Sequence, residues 1–135
     1  MNSVDSLIDF TTYDHDRLMS NFTSFIAKFS ELEYVTNEGN NITIDYISYR
    51  FTSEYRVVFR SNKFMVKLKF TAKDVGNNDI SFSIYFGGEG LIETSVDLDS
   101  PFNSFYIDTM PGYHFKKFIH VLMYKTLFYS SFMEN

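Results

Sequence analysis

In Phe64-Met65-Val66-Lys67-Leu68-Lys69-Phe70 the large apolar residues fall on even positions, and in Ile80-Ser81-Phe82-Ser83-Ile84-Tyr85-Phe86 they do so again. Side chains of a strand alternate between two faces, so each run carries one apolar face and one wet face. A parallel sheet, covered on both sides, needs continuously apolar strands. Alternation demands an antiparallel sheet roofed on one side only. The fold class that follows is α+β, in a single domain spanning residues 1–135.

Other segments extend the same pattern. Tyr55, Val57 and Phe59 alternate with Arg56, Val58 and Arg60, and Ser61-Asn62 turns this strand into 64–70 as a tight hairpin. Asp74-Val75-Gly76-Asn77-Asn78 leads into 80–86. Gly87-Gly88-Glu89-Gly90 leads into a fifth strand, where Ile92, Thr94, Val96 and Leu98 alternate with Glu93, Ser95 and Asp97. The first strand starts at Ile42, after the turn cluster Thr36-Asn37-Glu38-Gly39-Asn40-Asn41. Its apolar residues change phase, from Ile42, Ile44 and Tyr46 to Ile47, Tyr49 and Phe51. A bulge near Tyr46 or Ile47 accounts for this, and so does burial on both faces. Five strands with short connections read as a meander. Asp99 to Pro111 reads as a packed loop or a further edge strand.

Helices stand at both ends. Thr11 or Thr12 can cap the first, with Asp14 and Asp16 near its positive end. Leu18, Met19, Phe22, Phe25, Ile26, Phe29 and Leu32 then recur at three- and four-residue spacing opposite Ser20, Asn21, Ser24 and Lys28. Before it, Val4, Leu7 and Ile8 can form one helical turn. The last helix begins near Gly112 or Tyr113 and is apolar on most sides, through Phe115, Phe118, Ile119, Val121, Leu122, Met123, Tyr124, Leu127 and Phe128. Such a helix needs contacts on more than one side, from the first helix or from a second subunit. The two helices are expected on one face of the sheet, over the even-numbered residues of its later strands.

Composition narrows the class. Sixteen Phe and ten Tyr, with no Trp and two Pro, describe a core set by ring packing. With the abundant Asn, Ile and Lys they also describe an AT-rich gene, as in many viruses, phages and low-GC bacteria. The absence of Cys removes disulfides and thiolate metal sites. The start Met1-Asn2-Ser3-Val4-Asp5 lacks the basic and apolar regions of a signal peptide, and no run approaches the roughly 18 to 20 apolar residues of a membrane helix. A cytoplasmic protein with no membrane partner is the expectation. A net charge of −5 argues against a general nucleic-acid binder.

Catalytic motifs are sparse. His114 and His120 lie about 240° apart around one helix, so a shared metal would need a third element. Gly87-Gly88-Glu89-Gly90 lacks the Lys and Ser/Thr of a phosphate loop and precedes a strand. No Ser has a nucleophile-elbow setting. Glu93, Asp97 and Asp99, on one face of the fifth strand with Asp108 nearby, are the acid–base candidates, against the plainer role of keeping an edge strand solvated. No catalytic, metal or cofactor residue is therefore assigned.

Two surfaces remain as partner-binding candidates. One is the last helix, through Tyr113, Tyr124, Phe128, Tyr129 and Phe132, expected as a homodimer or partner surface. The other is the wet sheet face, where Arg56, Arg60, Lys67 and Lys69 stand on adjacent strands with Tyr85 between them and the acidic fifth strand. In element order alone, the layout is similar to profilin-like and secretion-chaperone-like α+β domains. The expected function is a non-enzymatic protein-binding module that occludes its partner, such as a phage- or virus-encoded inhibitor or a toxin-immunity protein. A small-ligand or nucleotide-binding domain with an aromatic pocket between helices and sheet, and a secretion-type chaperone, are the alternatives.

Overall fold

The computed structural model describes residues 12–129, with side chains from Asp14 to Phe128. In chain order the elements are α1 (Thr12–Ala27), a 3-10 turn (Lys28–Glu31), β1 (Val35–Glu38), β2 (Asn41–Tyr46), β3 (Tyr49–Arg60), β4 (Lys63–Lys73), β5 (Asp79–Gly87), β6 (Leu91–Thr94) and β7 (Ser104–Tyr106). A 3-10 turn (Ile107–Thr109), α2 (Gly112–Tyr124) and a π turn (Lys125–Tyr129) follow. The strands form one antiparallel sheet in sequence order, so the meander expected from the short turns is present, with seven strands instead of five. The reading of Val4, Leu7 and Ile8 lies outside the described residues.

The two extra strands have simple causes. Val35–Glu38 takes in half of a segment expected as a turn, and Gly39, at φ 62°, confines the reversal to Gly39-Asn40. Asn37 suits a strand here because its side-chain amide donates to the Ile26 carbonyl at 3.0 Å, satisfying an acceptor in the last turn of α1. The second addition, β7, pairs Phe105 with Ile92 and buries its ring.

The phase change before Phe51 is neither a bulge nor two-sided burial. It is a two-residue hairpin turn at Ile47-Ser48, with Tyr46 directly opposite Tyr49. Facing residues lie on the same side of a sheet, so this turn transfers the covered face from even to odd positions. The covered parity therefore runs Ile42 and Ile44, then Phe51, Tyr55, Val57 and Phe59. The next turn, Ser61-Asn62 with both φ values positive (53° and 62°), is a type I′ loop and returns the covered face to even numbers from Phe64 onward. Tyr55–Arg60 is consequently the outer half of a long β3, not a separate strand. At the other end, β6 stops at Thr94, short of the expected Leu98.

Both helices lay rings on the covered face. Phe25 stacks on Phe86 of β5 at 5.0 Å between centroids, and Phe29 meets Phe70 of β4 at 5.9 Å. Phe115 of α2 sets its edge against Phe25 at 5.9 Å and Phe29 at 5.1 Å. The first helix thus supplies one of the extra sides that α2 required. Phe70 and Phe82 stack at 5.0 Å below them, and each such buried ring contributes roughly 1.5 to 3 kcal/mol. A polar tie closes the flank, where the Tyr46 hydroxyl and His120 Nδ1 lie 2.8 Å apart, joining β2 to α2.

Ile47 is the local exception to this pattern of compensated cost. It has φ 57°, a conformation that a β-branched residue adopts with strain, and its side chain is 67% exposed and so recovers little by packing. Ile47→Gly is expected to raise stability by about 1 kcal/mol, read as a higher urea midpoint with an unchanged slope.

Candidate functional site

The strand register decides which residues share the open face of the sheet. Arg56 of β3 stands directly opposite Lys67 of β4, Lys67 opposite Tyr85 of β5, and Tyr85 opposite Glu93 of β6. One cross-strand row therefore runs from basic to acidic through a phenol ring. In the next row Glu54 faces Lys69, and Lys69 faces Ser83. Arg60 folds back across the sheet, its guanidinium carbon 4.1 Å from the Tyr85 centroid and its Nε 3.9 Å from a Glu93 carboxylate oxygen. Arg56, Arg60, Lys67, Lys69 and Tyr85 are thus brought together as one cluster, as alternation alone predicted.

The face is less uniformly wet than its polar parity implies. Met65 and Ser83 belong to it, yet they are 1% and 5% exposed. Ser83 is held by reciprocal bonds with Ser95, whose Oγ accepts the Ser83 N–H at 2.8 Å while its N–H donates to the Ser83 carbonyl at 2.9 Å. Glu54, Tyr55, Arg56, Lys67 and Lys69 line a hollow of about 290 Å³ there.

Charge is distributed unevenly over this surface. At its margin Arg50 Nε donates to Asp45 at 2.7 Å, and Lys73 meets Asp79 at 2.6 Å. The Asp45 carboxylate raises the Arg50 pKa, and the Lys73 ammonium lowers that of Asp79. At the centre the pattern reverses. Arg56, Lys67 and Lys69 have no carboxylate oxygen within 4.0 Å among the described residues. Like charges placed directly opposite each other on a sheet oppose folding, so this arrangement is not explained by stability.

The second predicted surface is divided. On α2, Tyr113 and Tyr124 are exposed, as is Phe128 in the π turn, and Tyr124 and Phe128 lie ring to ring at 4.9 Å. Phe132 and the side chain of Tyr129 lie outside the described residues. Asp97 and Asp99 lie beyond β6, which ends at Thr94, so strand periodicity does not place them on the face of Glu93. The aromatic pocket expected between helices and sheet is filled by the rings of Phe22, Phe25, Phe29, Phe70, Phe82 and Phe118. A cleft of about 450 Å³ lies instead at the end of this layer, where α1 crosses the Gly88–Gly90 turn. Asn21 anchors it by donating to the Gly88 carbonyl at 2.8 Å.

Sequence reasoning missed Glu54, because the rows could not be aligned without the register, and it undervalued His114. That imidazole is 7% exposed, between Phe102 and Phe105 with both centroids at 4.8 Å, and its Nε2 has no hydrogen-bond partner among the described residues. Its position four residues before Phe118, on the apolar stripe of the last helix, was the available signal. Comparison with protein-family models, curated proteins and solved structures gives no significant match, so the site is read from its own chemistry.

Burial, and secondarily Lys117, pushes the His114 pKa below its usual value. The folded state then binds this proton less readily than the unfolded chain. The stability contribution is complete above the unfolded pKa of about 6.5 and is lost as pH falls through the folded value. Urea midpoints measured from about pH 7.5 down to about pH 5 are expected to decrease, with a shallower decrease in His114→Phe.

Proposed function

We propose that this chain is a protein-binding module that works by occupying its partner, with the open sheet face as the docking surface and an acidic segment as the complement. The observation that carries the reading is the Arg56–Lys67 apposition, flanked by Lys69 and with no carboxylate oxygen within 4.0 Å among the described residues, while the marginal cations are paired. A partner carboxylate placed between these cations removes a repulsion that the isolated chain retains. Arg60 lying on Tyr85 adds an arginine–aromatic element of the kind that dominates interface energetics. The overall charge of −5 disfavours long-range attraction of nucleic acid, so recognition depends on close fit over the basic centre.

A second reading, a small-ligand domain, draws on the cleft beside the Gly88–Gly90 turn. Arg17 and Lys28 line it, but Glu89 and Asp108 line it as well and offset their charge. A ligand held there raises the melting temperature, whereas the docking reading requires no such shift.

Lys67→Glu separates function from folding. It turns the Arg56 apposition into an attractive pair, so the melting temperature is expected to rise slightly, by the equivalent of about 0.5 to 1 kcal/mol. A protein captured saturably by the parent chain is expected to be lost by this variant and kept by Lys73→Glu at the margin. Capture unaffected by Lys67→Glu overturns the proposal, as does binding of a single-stranded oligonucleotide that competes for the same face.

A further inference from the structure

The register leaves part of β3 without a neighbour. Pairing with β2 covers Tyr49–Thr52 only, and at the next residue the Ile42 N–H turns to the Ser53 hydroxyl at 2.8 Å. From Glu54 to Arg60, β3 is bonded to β4 on one edge and to no strand on the other among the described residues. Two-residue hairpins close on a hydrogen-bonded pair, and such pairs alternate along an antiparallel ladder. Closure at Arg60–Lys63 directs the backbone groups of Arg60, Val58, Arg56 and Glu54 toward β4. Those of Tyr55, Val57 and Phe59 therefore point outward, and closure at Tyr46–Tyr49 independently gives the same parity. Tyr55 and Phe59 are 40% and 37% exposed on the helix-side face of this edge.

We infer that the Glu54–Arg60 edge of β3 pairs antiparallel with the same edge of a second copy, about a two-fold axis at Val57. The inference goes beyond the docking reading and stands independently of it. Outward groups must face outward groups, which restricts the register to steps of two in the sum of facing residue numbers. Centring on Arg56 or on Val58 sets Arg56 against itself or against Arg60. Centring on Tyr55 drives the partner into the stretch held by β2. Centring on Val57 uses the whole open edge and places Glu54 opposite Arg60, Tyr55 opposite Phe59 and Arg56 opposite Val58. Each charged residue then meets an opposite charge or an apolar side chain, and Tyr55 and Phe59 cover one another.

Glu54 has no ion-pair partner among the described residues. Arg60 lies over Tyr85 with its Nε 3.9 Å from Glu93 and without a hydrogen-bond acceptor among the described residues, so it exchanges that long contact for Glu54 of the second copy. An open edge normally invites indiscriminate pairing. Here its charges admit one register and reject the neighbouring ones. The result is a continuous sheet in which the two basic centres lie side by side.

Sedimentation equilibrium on the full chain tests this up to about 1 mM. The parent is expected to self-associate reversibly. Glu54→Arg alone brings two arginines face to face across the axis, and Arg60→Glu alone does the same with two glutamates. Each is expected to weaken self-association about tenfold or more. An equimolar mixture of the two variants restores attractive pairs, so it is expected to form a heterodimer that neither variant forms alone. Val57→Pro removes an N–H that points away from β4 and pairs with no strand among the described residues, and is expected to abolish association with the circular dichroism spectrum retained. A parent monomeric at about 1 mM overturns the inference. So does a mixture no more associated than its components, or a dimer insensitive to Val57→Pro but lost in Tyr124→Ala/Phe128→Ala.

Discussion

Two phenylalanine rings hold the layers of this protein together. Phe25 and Phe29, one turn apart on the helical segment that begins with α1, each touch a ring of the sheet below and Phe115 of α2 beside them. The aromatic seam supplies directional contacts, stacked at Phe86 and edge-on at Phe115, and these set the helix positions more sharply than aliphatic burial would.

That one-sided arrangement has two consequences for the sheet. The open face is released from packing, so it can carry opposed cations and an arginine lying on a tyrosine without disturbing the core. The roof is also too narrow for the longest hairpin. Beyond Ser53, β3 extends past its β2 neighbour, and its helix-side residues Tyr55 and Phe59 are only partly covered. The edge left unpaired among the described residues follows from a β3–β4 hairpin that outruns β2. Natural sheets usually blunt such an edge with lysine, proline or a bulge. The stretch Glu54–Arg60 contains no Lys or Pro and its pairing to β4 is continuous, so the charges of Glu54, Arg56 and Arg60 are what restrict its pairing.

Much of this was legible in the residues because alternation is a local property. Phe64–Phe70 and Ile80–Phe86 announced their covered face directly, and both helices and the open-face cluster followed from parity and spacing. The errors cluster at turns. Ile47 disguised a hairpin because a β-branched residue is a poor choice for positive φ, so no glycine or asparagine marked the reversal. Asn37 made a strand look like a loop, since its bond to the Ile26 carbonyl is invisible without the helix above it. Val96 and Leu98 continued an apparent alternation that the backbone had already abandoned at Thr94.

The amino-acid order by itself determined that the sheet is antiparallel, that one side is apolar, and that Arg56, Lys67, Lys69 and Tyr85 lie on the other, because each of these depends only on a residue's parity within its own strand. Tertiary structure decided which of those side chains face each other, which carboxylates reach them, and where β3 loses its neighbour. Those outcomes depend on turn conformation and on the register between strands. Both are settled by the balance of contacts across the whole sheet, which no short window of residues contains.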